Sequence, residues 1–269
     1  MSTNFEDICK NVIELATNTG EFIREQRKHF SSDKIEVKGQ HDFVSYVDKE
    51  AEKLLVHGLS KILPDAGFIA EEGTGEPKPN GYNWIVDPLD GTTNFIHGLP
   101  PYSISIALTN KNTVLLGVIY EVTLDECFFA WGNGKAYLNG NEIRVSNTKN
   151  VNDSLIATGF PYYDYSIIGP FLKSMEHFMR NSHGLRRLGS AATDLAYVAC
   201  GRFEAFYEHS LQPWDVAAGA FIVEQAGGRV SDFSGGNNYM LGGEIVATNG
   251  NIYNDFQSIV SDYLVKDKQ

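Results

Sequence analysis

The densest chemistry in the sequence lies in Trp84-Ile85-Val86-Asp87-Pro88-Leu89-Asp90-Gly91-Thr92-Thr93-Asn94-Phe95. Trp84 to Val86 is an apolar run that reads as a buried strand, with Asp87 at its end. Pro88 fixes its own φ and lacks an amide hydrogen, so a turn is expected there, bringing Asp90 back beside Asp87 with the Leu89 carbonyl between them. Two carboxylates and a carbonyl form an all-oxygen donor set, which suits Mg²⁺ better than zinc. Gly91 permits close backbone approach, and Thr92-Thr93-Asn94 offer amide hydrogens of the kind that receive phosphate. Asp-Pro or Asp-Gly alone is ordinary turn chemistry, but a turn does not require the strand, both acids and the paired threonines together.

Further acids stand where ligands could be. Glu71 follows the short apolar run Phe68-Ile69-Ala70 and precedes a Gly/Pro-rich loop. Alone, the pair Glu71-Glu72 reads as a solvated edge; a strand neighbouring the Trp84 strand would instead bring Glu71 to Asp87. Asp215 follows Trp214 and opens a helix of small residues, Val216-Ala217-Ala218-Gly219-Ala220, where a first-turn cap is the plain reading. Asp48 stands near the start of another helix, where an acid favours the helix dipole, and a structural and a catalytic role compete there.

These motifs closely resemble the inositol monophosphatase family. Its first signature has the form Trp-x-x-Asp-Pro-x-Asp-Gly-Thr-x-Asn-Phe, and its second is matched by Trp214-Asp215-Val216-Ala217-Ala218-Gly219 with Glu224-Gln225-Ala226-Gly227-Gly228 beyond it. The resemblance implies that Glu71, Asp87 and the Leu89 carbonyl hold one Mg²⁺, that Asp87, Asp90 and Asp215 hold a second, and that a third, weaker ion binds near Glu71. It implies phosphomonoester hydrolysis by a metal-activated water, with Glu71 and Thr92 positioning that water and Asp48 hydrogen-bonded to Thr92. The Gly91 and Thr92 amides would bind phosphate. Gly189-Ser190-Ala191 matches the family's substrate loop and Glu208 its hydroxyl-binding glutamate, with Asp90 also contacting a hydroxyl and Asp215 close to the leaving oxygen. Lithium sensitivity and a homodimer are further family expectations. His97 reads as packing or loop structure.

The substrate expected from the resemblance is a small polyol phosphate, most simply inositol monophosphate. Two departures bear on it: the loop 38–42 is a residue shorter than in the animal enzymes, and Pro161-Tyr162-Tyr163-Asp164-Tyr165 is aromatic and acidic where it could overhang the substrate. They keep an NADP 2′-phosphatase, a dual-specificity enzyme and a fructose-1,6-bisphosphatase as alternatives. A catalytically silent scaffold is the alternative from another class, opposed by the presence of Glu71, Asp87, Asp90, Thr92 and Asp215 together.

Several elements must position these residues. Phe5, Ile8, Val12, Leu15, Ala16, Thr19, Phe22 and Ile23 predict a long amphipathic first helix. A short strand at 34–37 and a polar loop at 38–42 lead to a second helix with Val47, Ala51, Leu54, Leu55 and Leu59 on one face. Strands at 103–108, 114–120 and 127–131, with hairpins at 110–112 and at Asn139-Gly140, predict antiparallel sheet. The second half alternates strand and helix, and polar residues at 146–153 separate the halves, giving expected domains of 1–146 and 147–269. Pattern alone gives a mixed α and β protein, an α/β mixed (α+β) chain. The resemblance narrows this to the layered αβαβα sandwich of the sugar phosphatases.

Composition bounds the rest. At 42% hydrophobic and 21% charged, the 269 residues match a globular chain with a sizeable core. A net charge of −12 argues against nucleic acid as partner, and it makes divalent cations close to a requirement for a phosphate-bearing small-molecule substrate. No signal peptide and no membrane-spanning run is read, and Cys9, Cys127 and Cys200 read as reduced, packed thiols, so a cytoplasmic protein is expected.

Overall fold

The first helix, α1 (Phe5–Lys28), is capped by Asn4, whose side chain accepts from the Glu6 amide. It turns Val12, Ala16, Thr19 and Ile23 inward, as the apolar spacing requires. The computed structural model describes residues 4–30, 35–39, 42–132, 134–161 and 165–265. The strand expected at 34–37 is β1 (Ile35–Gly39), and it pairs antiparallel with β2 (Asp42–Ser45), a strand the sequence reading did not place. Residues 40–41 and 162–164, which carry part of both departures noted above, lie outside the described residues.

Helix α2 (Tyr46–Ile62) buries Val47, Ala51, Leu55 and Leu59, one ridge at four-residue spacing. Leu54, expected on that face, is 45% exposed; Asp48 and Glu52 take the adjoining buried row instead. Next come β3 (Gly67–Ala70) and β4 (Tyr82–Asp90), parallel to each other, with Ala70 beside Val86.

Strand β4 does not stop at Asp87. It runs through Pro88 to Asp90 because the pairing with β5 (Ser103–Asn110) carries a bulge: Asp87 faces Ser105 and Asp90 faces Ser103. The bulged strand thus holds one residue more than its partner, and a proline without an amide hydrogen is tolerated at such an irregularity. A short helix the sequence reading missed, α3 (Thr92–His97), follows immediately, bracketed by Gly91 and Gly98 in the left-handed region.

A seven-stranded sheet runs β3-β4-β5-β6-β7-β8-β9, adding β6 (Thr113–Glu121), β7 (Glu126–Trp131), β8 (Ala136–Leu138) and β9 (Asn141–Ile143). The five-stranded sheet has the order β11-β10-β12-β14-β13, made of β10 (Leu155–Thr158), β11 (Gly184–Arg186), β12 (Ala205–His209), β13 (Arg229–Ser231) and β14 (Glu244–Thr248). Helices α5 (Ala191–Ala199) and α6 (Pro213–Gln225) lie between the sheets, while α4 (Ile168–Arg180) and α7 (Tyr253–Leu264) cover the far face of the smaller one. With α1 and α2 on the outer face of the larger sheet, the layers run α-β-α-β-α.

Strand alternation divides the cores. Trp84 and Val86 pack towards α1 and α2, whereas Ile85 joins the middle layer. On β12, Phe206 faces the middle layer and Tyr207 faces α4 and α7. Gly117 lets α6 sit directly on β6: a Cβ there would lie 2.9 Å from the Ala218 carbonyl oxygen. Cys9 and Cys127 pack in the outer core, Cys200 is half-buried, and all three thiols are free.

Candidate active site

Three acids converge where β4 ends. Asp87, Asp90 and Asp215 each present a carboxylate oxygen within 4.8 Å of the other two. The bulge supplies the first two, and the first turn of α6 supplies the third. The parallel register of β3 and β4 adds Glu71, whose side chain hydrogen-bonds to that of Asp87 and whose amide donates to the Val86 carbonyl at 3.2 Å.

Asp87 is buried, while Asp90 and Asp215 are partly open to solvent. Burial, then the charges of Glu71, Asp90 and Asp215, pushes the Asp87 carboxyl well above the ordinary carboxylate range. Burial raises Asp90 to about 6, against hydrogen bonds from Ser190 and the Ala192 amide. Asp215 rises to about 7, again mainly through burial and then through Asp90. Like charges this close cannot all ionise cheaply, so the cluster calls for protons or cations. Its donors are oxygens only, which fits a hard divalent ion.

Asp48 combines a helix cap with a hydrogen bond to Thr92. One carboxylate oxygen, Oδ2, closes a capping box, accepting from the Ser45 amide at 2.9 Å and the Ser45 hydroxyl at 2.6 Å. The other, Oδ1, accepts from Thr92 Oγ1 at 2.7 Å. Thr92 Oγ1 also lies 2.9 Å from the Leu89 carbonyl oxygen, so its single proton is shared between two acceptors. Burial raises the Asp48 carboxyl, while the Ser45 and Thr92 hydrogen bonds oppose it. Asp215 repeats the device: its Oδ2 accepts from the Gln212 amide at 2.6 Å in a second capping box, so a structural cap and a place in the acid cluster coincide.

Asp90 is tied to the loop 189–191. Its Oδ2 accepts from Ser190 Oγ at 2.6 Å and from the Ala192 amide at 2.7 Å, at the start of α5. Gly91, at φ 92°, passes so close to that loop that a Cβ would lie 3.1 Å from the Gly189 and Pro101 carbonyl oxygens. Asn94 locks the same contact, donating to the Leu188 carbonyl at 2.7 Å and the Pro101 carbonyl at 2.8 Å. Glu208 comes off β12 on the face of Phe206 and is buried. Its carboxylate lies over Gly159, where a Cβ would come within 1.8 Å of it. His97, by contrast, is exposed in the last turn of α3.

Among the buried acids that sequence reasoning missed, two bear on the site. Glu52 accepts from the Glu72 amide at 2.7 Å and the Thr74 amide at 2.8 Å, and so fixes the turn after Glu71. Asp194 sits one helical turn beyond Ser190 on α5, buried, with the charges of Glu208 and Asp90 acting on it. Each interrupts an otherwise apolar helix face, and that interruption was the signal available.

The sequence pattern of the inositol monophosphatase family matches residues 5–264. The chain belongs to the inositol monophosphatase family. It is 43% identical over 216 residues to an inositol-1-monophosphatase of Mesorhizobium japonicum, covering 80% of this chain and 81% of that one. It is also 43% identical over 213 residues to the Nus factor SuhB of Escherichia coli K12, covering 79% and 80%. Among solved structures, the extragenic suppressor protein suhB of Bartonella henselae superposes with a TM-score of 0.89 at 38% identity, covering 93% of this chain and 97% of that one. Family membership makes the chain an inositol-monophosphatase-like phosphoric monoester hydrolase. Among the described residues, no helix is long and apolar enough to cross a membrane.

Proposed function

We propose that the protein hydrolyses the phosphate monoester of a small polyol, most simply inositol monophosphate, with Mg²⁺ held by Glu71, Asp87, Asp90, Asp215 and the Leu89 carbonyl. The observation that carries this reading is the convergence of Asp87, Asp90 and Asp215 within 4.8 Å, beside the hydrogen-bonded pair Thr92 and Asp48. Two to three ions are the expected complement. When bound, they supply a Lewis acid that acidifies a water and offsets charge on the phosphoryl oxygens.

The protein's own groups then do the following. Asp48 Oδ1 draws the Thr92 proton, leaving a lone pair of Oγ1 to accept from the attacking water. Glu71, beside Asp87, orients that water from the other side. The leading amides of α3, which have no helical acceptor, face the phosphate. Asp90 and the loop 189–191 receive the hydroxyl next to the ester, and Glu208 accepts from hydroxyls further round the ring. Asp215 stands on the leaving-group side.

A second reading is supported by a relative. SaIMPase-II, 25% identical to this chain in its inositol monophosphate complex and 28% in its 2′AMP complex, takes both ligands. A 2′-phosphate on ribose is also the group an NADP 2′-phosphatase removes, and Phe160 and Tyr165 are 44% and 46% exposed on either side of residues 161–164. Fructose 1,6-bisphosphate is a third ester of the same class. A cytoplasmic homodimer, lithium sensitivity and a division into 1–146 and 147–269 belong to the same proposal.

The test is phosphate release with Mg²⁺ from inositol 1-phosphate, NADP and fructose 1,6-bisphosphate. Preference for inositol 1-phosphate supports the first reading, and equal or better turnover of NADP makes the protein a dual-specificity enzyme. Relatives named Nus factor SuhB fall in the same identity range, and silence on all three esters would count against the phosphatase reading and favour a scaffold role.

A further inference from the structure

One buried acid is used by none of the steps above. Asp194 is 1% exposed, and its Oδ1 makes no hydrogen bond among the described residues. The other buried residues of α5 are Ala191, Ala192, Thr193, Leu195, Ala196, Val198 and Ala199. Packing alone would favour another alanine there, since a buried polar oxygen without a partner is costly.

The layers place Glu208 against the helix that carries Asp194. Phe206 and Glu208 stand two apart on β12 and so leave the same face of the strand, the face that packs on α5. Glu208 therefore lies between two things: Gly159, whose missing side chain leaves room for the carboxylate, and α5, which carries Asp194. The Arg187 guanidinium acts on Asp90, Asp194 and Glu208 alike, with its carbon 5.3 Å from the Phe160 ring centroid. One cation thus serves three acids. They cannot all carry charge cheaply, and burial raises Asp194 and Glu208 well above the ordinary range.

We propose that Asp194 is a positioning residue for the alcohol half of the site, forming the polar wall on α5 that holds the Glu208 carboxylate forward over Gly159, where it meets substrate hydroxyls. The inference rests on the phosphatase reading and names what that site selects: an ester whose alcohol carries hydroxyl groups within reach of Glu208. With Asp194 shortened, Glu208 gains freedom to withdraw towards α5, and the loss falls on recognition of the alcohol.

The experiment compares inositol 1-phosphate with phenyl phosphate, which has no hydroxyls, in the Mg²⁺-loaded full chain. Asp194→Ala should raise KM for inositol 1-phosphate about tenfold while kcat stays within about twofold. KM for phenyl phosphate should not follow it. Asp194→Asn, which keeps the shape and a polar tip, should recover KM to within about threefold of wild type. Glu208→Gln should raise KM in the same way, and adding Asp194→Ala to it should produce no further rise, because both changes act at one point. Asp194→Ser replaces the alanine variant if that chain does not fold. Equal damage on both esters, or full additivity with Glu208→Gln, would overturn the inference and leave Asp194 a structural residue. Wild-type turnover of phenyl phosphate without turnover of inositol 1-phosphate would also overturn it. If the wild type hydrolyses neither ester, the phosphatase reading itself fails and takes this inference with it.

Discussion

Thr92 Oγ1 donates to Asp48 Oδ1 across 2.7 Å, so the first turns of α2 and α3 meet through one proton. The pair spans 44 residues of sequence and links a helix cap to the acid cluster. Thr92→Ala removes the hydroxyl but keeps the backbone. It should lower kcat by about 100-fold or more, the scale of a lost proton-transfer group, with little change in melting temperature. Thr92→Ser should retain most of the rate. Steady-state kinetics on the preferred ester, with circular dichroism as the control for folding, decide the point.

Metal removal should expose the cost of crowding the acids. Asp90 at about 6 and Asp215 at about 7 lie above the value of about 3.9 that an unfolded aspartate has. A raised folded value means the folded chain holds its protons more tightly than the unfolded one. The contribution to stability is therefore complete below about pH 4 and lost as pH rises through about 6 to 7. In EDTA, the site should weaken the fold more at pH 8 than at pH 5. Added Mg²⁺ should raise the melting temperature more at pH 8 than at pH 5, and the reverse order would contradict the assignment. Asp87→Asn should abolish turnover, melt higher than wild type in EDTA and lose most of the Mg²⁺ shift.

Glu52 acts on the site from behind. It holds the Glu72 and Thr74 amides, and through them the position of Glu71. Glu52→Ala should raise the Mg²⁺ concentration for half-maximal activity about tenfold, the usual scale when a ligand loses its support. Saturating Mg²⁺ should restore kcat. A magnesium titration of activity reads this directly.

Gly91 is hemmed in by backbone from two segments. Gly91→Ala would place a methyl group 3.1 Å from two carbonyl oxygens at φ 92°, a strained combination costing about 1–3 kcal/mol. Activity should fall further than stability, since the loop 189–191 must move away from Asp90 to relieve the contact. Paired melting curves and phosphate-release rates separate the two effects.

The sequence made Asp87, Asp90 and Leu89 legible because they lie within one short stretch, and strand order made Glu71 legible once Ala70 was read as an end. The continuation of β4 past Pro88 was not legible, because a bulge is a property of two strands and Ser103 and Ser105 give no sign of it alone. The hairpin partner β2 was hidden for the same reason. Helix α3 was missed since six residues show too little periodicity to be seen. Glu52 and Asp194 were readable only as acids out of place on apolar faces. Leu54 went the other way, its exposure showing that α2 presents a narrower buried ridge than its composition allows.

Gly219 of α6 approaches α5 so closely that a Cβ would stand 2.6 Å from the Leu195 side chain. These two helices carry the acids' anchors at their leading ends: Ser190 and Ala192 on one, Asp215 on the other. Their spacing is therefore the gauge that sets the distance from Asp90 to Asp215. A methyl group added at Gly219, deep in the middle layer, would push α5 and α6 apart and so widen the gap across which the acids face one another.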